Sequence, residues 1–187
     1  MKKPLKDKVF ISRDFKMANF IINEAINERE IALIYGVAGT RKTTILKEFA
    51  KKYSNSILIE VTPHISPKVL LEDLCEALKI TAPKGLRAML KAVARFLKNA
   101  DKVILIDEAE HLQLKALEDL RRIVDFSKVP CVLCGTEILL NNLMCKNKEL
   151  RQLYSRICGK YKLDGLKESE CKEFFLWLYI RINKRKF

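Results

Sequence analysis

The chain alternates five short apolar runs with stretches of helical period, and that alternation leaves few architectures open. The runs are IALIY (31–35), SILIEV (56–61), KVILI (102–106), CVLC (131–134) and a short YKL (161–163). Most are continuous rather than alternating, the pattern of strands covered on both faces. Such strands, separated by helical segments, predict an α/β fold: a five-stranded parallel sheet flanked by helices. Helices are expected over 14–28, 42–52, 67–78, 84–99, 114–126, 148–158 and 167–183. The first would carry Met17, Phe20, Ile21 and Ala25 on one face. The third opens with Ser66 and Pro67, a cap followed by proline in the first turn.

With 187 residues, 49% of them hydrophobic, the chain can bury a core of ordinary domain size. No Gly/Ser linker divides it. The expected seam is 164–165, which gives a core over 1–163 and, over 164–187, the start of a truncated or minimal helical lid. The apolar run FFLWLYI (174–180) is far too short to span a bilayer. The N-terminus has no apolar h-region, so no secretory signal is expected. Six cysteines without an export signal suggest free thiols and a cytoplasmic protein. Two of them form the lone CxxC, Cys131 and Cys134, which points to opposite faces of a strand. With His64 and His111 as the only histidines, the chain offers no zinc-ligand spacing.

The chemistry begins at YGVAGTRKTT (35–44). Gly36, Gly39, Lys42 and Thr43 stand at P-loop spacing, between an apolar run and a helix. Glycines let a backbone aim its N–H groups at phosphate, and the helix adds the positive end of its dipole. Lys42 would reach the β- and γ-phosphates, and the Thr43 hydroxyl would hold Mg2+. Further along, VILIDEAEHL (103–112) sets Asp107 and Glu108 directly after an apolar strand, where one carboxylate can meet a metal and the other can polarise a water. Gly135 and Thr136 follow the fourth run, at the strand end where ligands of open α/β sheets bind. LRQLYSRICGKYKL (150–163) carries an arginine in a polar helix ahead of the last strand.

These four pieces, in this order, resemble the AAA+ ATPases over residues 9–163. YGVAGTRKTT, LIDEAEHL, LCGTEILL and SRICGKYKL look most like the DNA-transposition ATPases, typified by the phage Mu B protein and TnsC, with the ExeA-type secretion ATPases as relatives. The resemblance implies an ATP- and Mg2+-dependent assembly factor. It would oligomerise through ATP, bind double-stranded DNA without sequence preference and direct a transposase to it. It also implies residue roles. Gly36, Val37, Ala38, Gly39, Thr40, Arg41, Lys42, Thr43 and Thr44 would cradle the nucleotide. Thr43 and Asp107 would hold Mg2+, Glu108 would be the base and Thr136 the sensor. Arg156 would complete a neighbouring subunit's site, with Arg151 the fallback. Residues 9–15 would line the adenine pocket.

Arg41 departs from the pattern, which wants glycine there. A left-handed backbone costs a residue with a Cβ about 1–2 kcal/mol. A guanidinium about 4 Å from phosphate gains roughly 4 kcal/mol at an effective dielectric of 20, before desolvation. Arg41 therefore leaves two outcomes open: a site that binds and hydrolyses slowly, or a P-loop kept as a scaffold or DNA-binding module. A secretion-type ATPase is the third function class.

Charge points to a partner. Lys and Arg number 36 against 23 acids, for a formal net charge of +13. That excess favours a polyanion, with nucleic acid ahead of an anionic membrane surface, and solubility alone as the plainer explanation. Lys84, Arg87, Lys91, Arg95 and Lys98 recur at helical spacing with no acid between them, opposite Leu86, Leu90, Val93 and Leu97. They are the candidate DNA contacts, with Arg121 and Arg122 a weaker pair.

Overall fold

A computed structural model describes residues 9–183 apart from 64, 99 and 145–147. The basic termini, His64 and the last position of the helix expected over 84–99 lie outside the described residues. The elements run α1 (Arg13–Glu28), β1 (Ile31–Gly36), α2 (Lys42–Lys52), β2 (Ser56–Glu60), α3 (Pro67–Ala77), α4 (Leu86–Lys98) and β3 (Val103–Asp107), then α5 (Leu114–Ser127), β4 (Cys131–Gly135), α6 (Glu137–Met144), α7 (Lys148–Tyr154), β5 (Ile157–Leu163) and α8 (Glu168–Asn183). The five strands form one parallel sheet in the order β2-β3-β4-β1-β5. The predicted α/β sheet is therefore present.

Alternate strand residues feed two cores. Ile31, Leu33, Ile104, Ile106, Cys131 and Leu133 face α3 to α7. Ala32, Ile34, Val103, Leu105, Val132 and Cys134 face α1 and α2. The two cysteines of the CxxC thus lie in different cores, and burial pushes the Cys131 thiol up to about 12. Cys75, Cys131, Cys134, Cys158 and Cys171 are free thiols. Ser66 caps α3 as expected, accepting from Val69 N at 3.3 Å, with Pro67 in the first turn.

Four sequence expectations need correction. Helix α1 buries Phe15, Ala18, Ile22 and Ala25 and leaves Met17 and Phe20 exposed. The alanines let the helix lie close to the sheet, so the inward stripe is set by small residues rather than the bulkiest ones. Residues 137–144, left unassigned from the sequence, form the two turns of α6 and bury Leu139 and Leu143. The helix expected over 148–158 stops at Tyr154, and β5 begins at Ile157 rather than 161. As an edge strand, β5 alternates exposed Cys158, Lys160 and Lys162 with better-covered residues, so no continuous apolar run marks it. Finally, Lys84 precedes α4, separated from it by the left-handed Gly85, and Leu86 is exposed rather than part of the apolar stripe.

Candidate nucleotide site

β1 ends at Gly36, whose lack of a side chain is required by the neighbouring edge strand. A Cβ there would lie 2.6 Å from Leu163 O. The loop then turns through Gly39 and Arg41, both left-handed, with φ 86° and 67°, before α2 begins at Lys42. Left-handed backbone at the glycine-to-arginine position is thus what the loop demands, and Arg41 pays it without a side-chain cap. Thr40 Oγ1 donates to Val37 O at 2.8 Å and braces the turn. Lys42 is buried, and its Nζ donates to Gly36 O at 2.8 Å and Val37 O at 3.0 Å. The lysine is held by the carbonyls of its own loop.

Across the cleft, β3 delivers Asp107, 1% exposed, whose Oδ1 accepts from Glu108 N at 3.1 Å. Glu108 is also left-handed, φ 57°, and its carboxylate lies 3.5 Å from His111 Nε2. Of the other non-glycine residues with positive φ, Arg29 and Lys128 end helices and Lys79 follows α3, ordinary places for such backbone. Arg41 and Glu108 are different, since they sit where the chemistry is expected. Thr136 follows β4, and its N–H donates to Glu110 Oε1 at 3.1 Å. Beneath them, burial pushes the Cys134 thiol well above its ordinary range and Asp107 adds to the shift, so this cysteine is no nucleophile.

A cavity of about 410 Å3 brings together Gly39, Arg41, Lys42 and Thr43 from the loop with Glu108 and Thr136. A second, of about 210 Å3, adjoins it between Val9 and Ser12, Thr40 and Ile45, and Gly165 and Leu166. Arg41 borders both cavities. The second is tied together by Asp14, which accepts from Tyr161 Oη and from Gly165 N, each at 2.8 Å. Burial raises the Tyr161 phenol, which keeps it a donor to that carboxylate.

Among the described residues, the buried side-chain oxygens without a partner are Asp107 Oδ2, Glu110 Oε2 and Thr136 Oγ1. Each such group costs about 1–3 kcal/mol, and all three cluster at the ends of β3 and β4. A buried, unpartnered carboxylate oxygen at the end of β3 and a hydroxyl at the start of α2 form a donor set suited to a hard, oxygen-seeking cation such as Mg2+. Thr43 and Asp107 therefore fit the metal expected of them.

Arg156 lies elsewhere. It sits in the turn between α7 and β5, not in the polar helix expected, and its carbonyl accepts from Ile31 N at 3.1 Å. That is the amino end of β1, about 20 Å from the loop at 3.3 Å per residue. Its guanidinium pairs with Asp125 at 3.1 Å and does not line the loop cavity. Arg121 is committed to Glu118 at 3.0 Å and to Asp125 at 2.6 Å, which removes it from the DNA candidates. Arg87, Lys91, Arg95 and Lys98 remain exposed along α4. Lys98 also stacks over the half-exposed Phe126 ring at 5.3 Å.

Glu110 was missed from the sequence. The signal was there in part: an acid three residues beyond Asp107, and a glycine, Gly135, at the end of a buried strand.

A family profile described as AAA domain matches residues 26–144. The chain is 28% identical over 145 residues to the Mu-like prophage FluMu DNA transposition protein B of Haemophilus influenzae, covering 75% of this chain and 50% of that protein. It is 28% identical over 146 residues to the ATP-dependent target DNA activator B of Escherichia phage Mu, covering 76% of this chain and 47% of that one. The chain thus spans about half the length of these curated relatives. General secretion pathway protein A of Aeromonas hydrophila also matches, at 28% identity over 70% of this chain and 26% of its own length. Among solved structures, the ORC2 protein of Aeropyrum pernix in its ADP form superposes with a TM-score of 0.65 at 18% identity, over 98% of this chain and 55% of that one.

Proposed function

The chain belongs to the AAA domain family, and from that premise we propose that it is an ATP-dependent, DNA-binding ATPase that acts as an oligomer in DNA transposition. The observation that carries the nucleotide reading is the convergence of Lys42, Thr43, Glu108 and Thr136 on one cavity, with the unpartnered buried oxygens of Asp107 and Thr136 at the ends of the strands that lead to it. Support for the transposition reading comes from the phage Mu and FluMu relatives.

In this mechanism the adenine occupies the cavity between Val9 and Leu166, and the phosphates lie along the loop. Lys42 exchanges its two carbonyl partners for phosphate oxygens. Thr43 and Asp107 hold Mg2+, which neutralises charge on the phosphates when bound. Glu108 turns from His111 and takes the proton of a water that attacks the γ-phosphorus as the bond to ADP breaks. Thr136 contacts the terminal phosphate. Arg156 of one subunit leaves Asp125 and reaches the γ-phosphate of the next, which makes turnover depend on assembly. Lys84, Arg87, Lys91, Arg95 and Lys98 hold duplex DNA by its backbone, and a transposase is the partner brought to that DNA. Among the described residues, those up to Leu163 form the nucleotide-binding core in this reading, and α8 is a lid helix.

A second reading rests on Arg41, whose left-handed backbone is a standing strain at the loop. Under it the site holds nucleotide without turning it over. Titration of Mg-ATP against this chain and its Arg41→Gly variant, at fixed salt, tests both. Binding by both chains, with phosphate release in the presence of duplex DNA, supports the ATPase. Binding without release, in this chain but not in the glycine variant, supports the scaffold. No binding to either overturns the nucleotide site.

A further inference from the structure

Glu110 has no part in the chemistry assigned above, yet it joins β3 to β4 at the site. The β3–β4 ladder pairs Ile104 with Cys131, Leu105 with Val132 and Ile106 with Leu133, and goes no further. Beyond Asp107 the chain passes through left-handed Glu108 into one tight turn, Ala109–His111, closed by His111 N donating to Glu108 O at 3.0 Å. That turn carries residue 110 back over the end of β4. There Glu110 Oε1 accepts the Thr136 N–H at 3.1 Å, across 26 positions of sequence. Its other oxygen is buried without a partner against Gly135. A Cβ on Gly135 would overlap Glu110 Oε2 and come within 3.0 Å of Leu139 Cδ2. Gly135 is thus the space in which the carboxylate sits.

We propose that Glu110 is a positioning residue: it fixes Thr136 relative to Asp107 and Glu108, so that the ends of β3 and β4 meet the terminal phosphate as one unit. The inference rests on the nucleotide-hydrolysis reading of the site. It predicts a loss confined to turnover, because Glu110 borders neither the loop nor the base cavity. A catalytic group displaced by about 1 Å can lose 100-fold in rate.

The test measures DNA-stimulated ATP hydrolysis and Mg-ATP affinity side by side. Glu110→Ala is expected to lower kcat by about 10- to 100-fold and leave nucleotide Kd within about twofold. Glu110→Gln keeps an acceptor for the Thr136 N–H and should recover most of the rate. Gly135→Ala, which evicts the carboxylate while leaving every charged residue in the sequence unchanged, should reproduce the Glu110→Ala loss. The double variant should be no worse than either single one, since both remove the same contact. If Glu110→Ala does not fold, Glu110→Asp carries the test: one methylene shorter, it should show the same loss. Unchanged kcat in Glu110→Ala overturns the proposal alone, as does a parallel fall in affinity or additivity of the pair. An unsubstituted chain that binds Mg-ATP but never hydrolyses it overturns the hydrolysis reading as well.

Discussion

At the carboxyl end of the sheet, Asp107, Glu110 and Thr136 each bury an oxygen that has no partner, and Arg41 and Glu108 hold left-handed backbone. From the amino end, one continuous chain of ion pairs runs from Arg156 through Asp125 and Arg121 to Glu118 along α5. The same strands run between the two ends, so the difference is local. It comes from what the connecting loops must do. One end is left unsatisfied at a cost to stability, as expected where a polar ligand completes the hydrogen bonding. The other is satisfied within the subunit, and whatever Arg156 does for a neighbour must first displace Asp125.

The largest expected effect strikes the carboxyl end. Glu108→Gln should lower hydrolysis by about 10²- to 10⁴-fold while Mg-ATP still binds, as read by phosphate release beside a binding titration. Normal hydrolysis in that variant would remove Glu108 from the role of base. At the amino end, Arg156→Ala should cost turnover about 10³-fold in assembled protein. It should also change the melting temperature little, because the Arg156 side chain is partly exposed and Asp125 keeps Arg121 as a partner. Mixing it with Lys42→Ala subunits sharpens the contrast: one variant lacks each end, and mixed assemblies should regain activity that neither has alone. No recovery on mixing would place Arg156 outside the neighbour's site.

A third experiment leaves the sheet for α4. If all five basic residues contact phosphates, DNA affinity should fall with salt at a logarithmic slope of about −4.5, at −0.9 per contact. Lys91→Ala should flatten the slope by about 0.9. A slope near zero would rule out backbone-charge binding there. The smallest effect belongs to Arg41→Gly. Relief of left-handed strain, about 1–2 kcal/mol, is opposed by the entropy of glycine, about 0.5–1 kcal/mol. Denaturant unfolding should therefore show a gain of about 0–1.5 kcal/mol.

The three inner strands, β1, β3 and β4, and the P-loop were legible in the sequence because burial on both faces writes itself as continuous apolar runs, and phosphate binding as glycine spacing. What stayed hidden depended on neighbours. The inward face of α1 follows Ala18 and Ala25, which only the sheet's closeness selects. β5 is disguised by Lys160 and Lys162, which belong on an open edge. Glu110 was illegible for a further reason: its contact with Thr136 depends on a single tight turn after β3, and no periodicity announces one turn. Asp14 likewise gives no sign, alone, that Tyr161 and Gly165 will share it.

The contact of the N-terminal segment with α8 has a practical consequence. Phe10 meets Phe174 and Trp177 edge-on at 5.4 and 6.0 Å, and the Arg181 guanidinium lies 5.0 Å from the Trp177 ring. Trp177 is the chain's single tryptophan. Its emission therefore monitors one joint, where the stretch of chain beside the smaller cavity touches the last helix. A change in intensity when nucleotide is added would register movement at that joint, in unlabelled protein and on the millisecond scale of a stopped-flow trace.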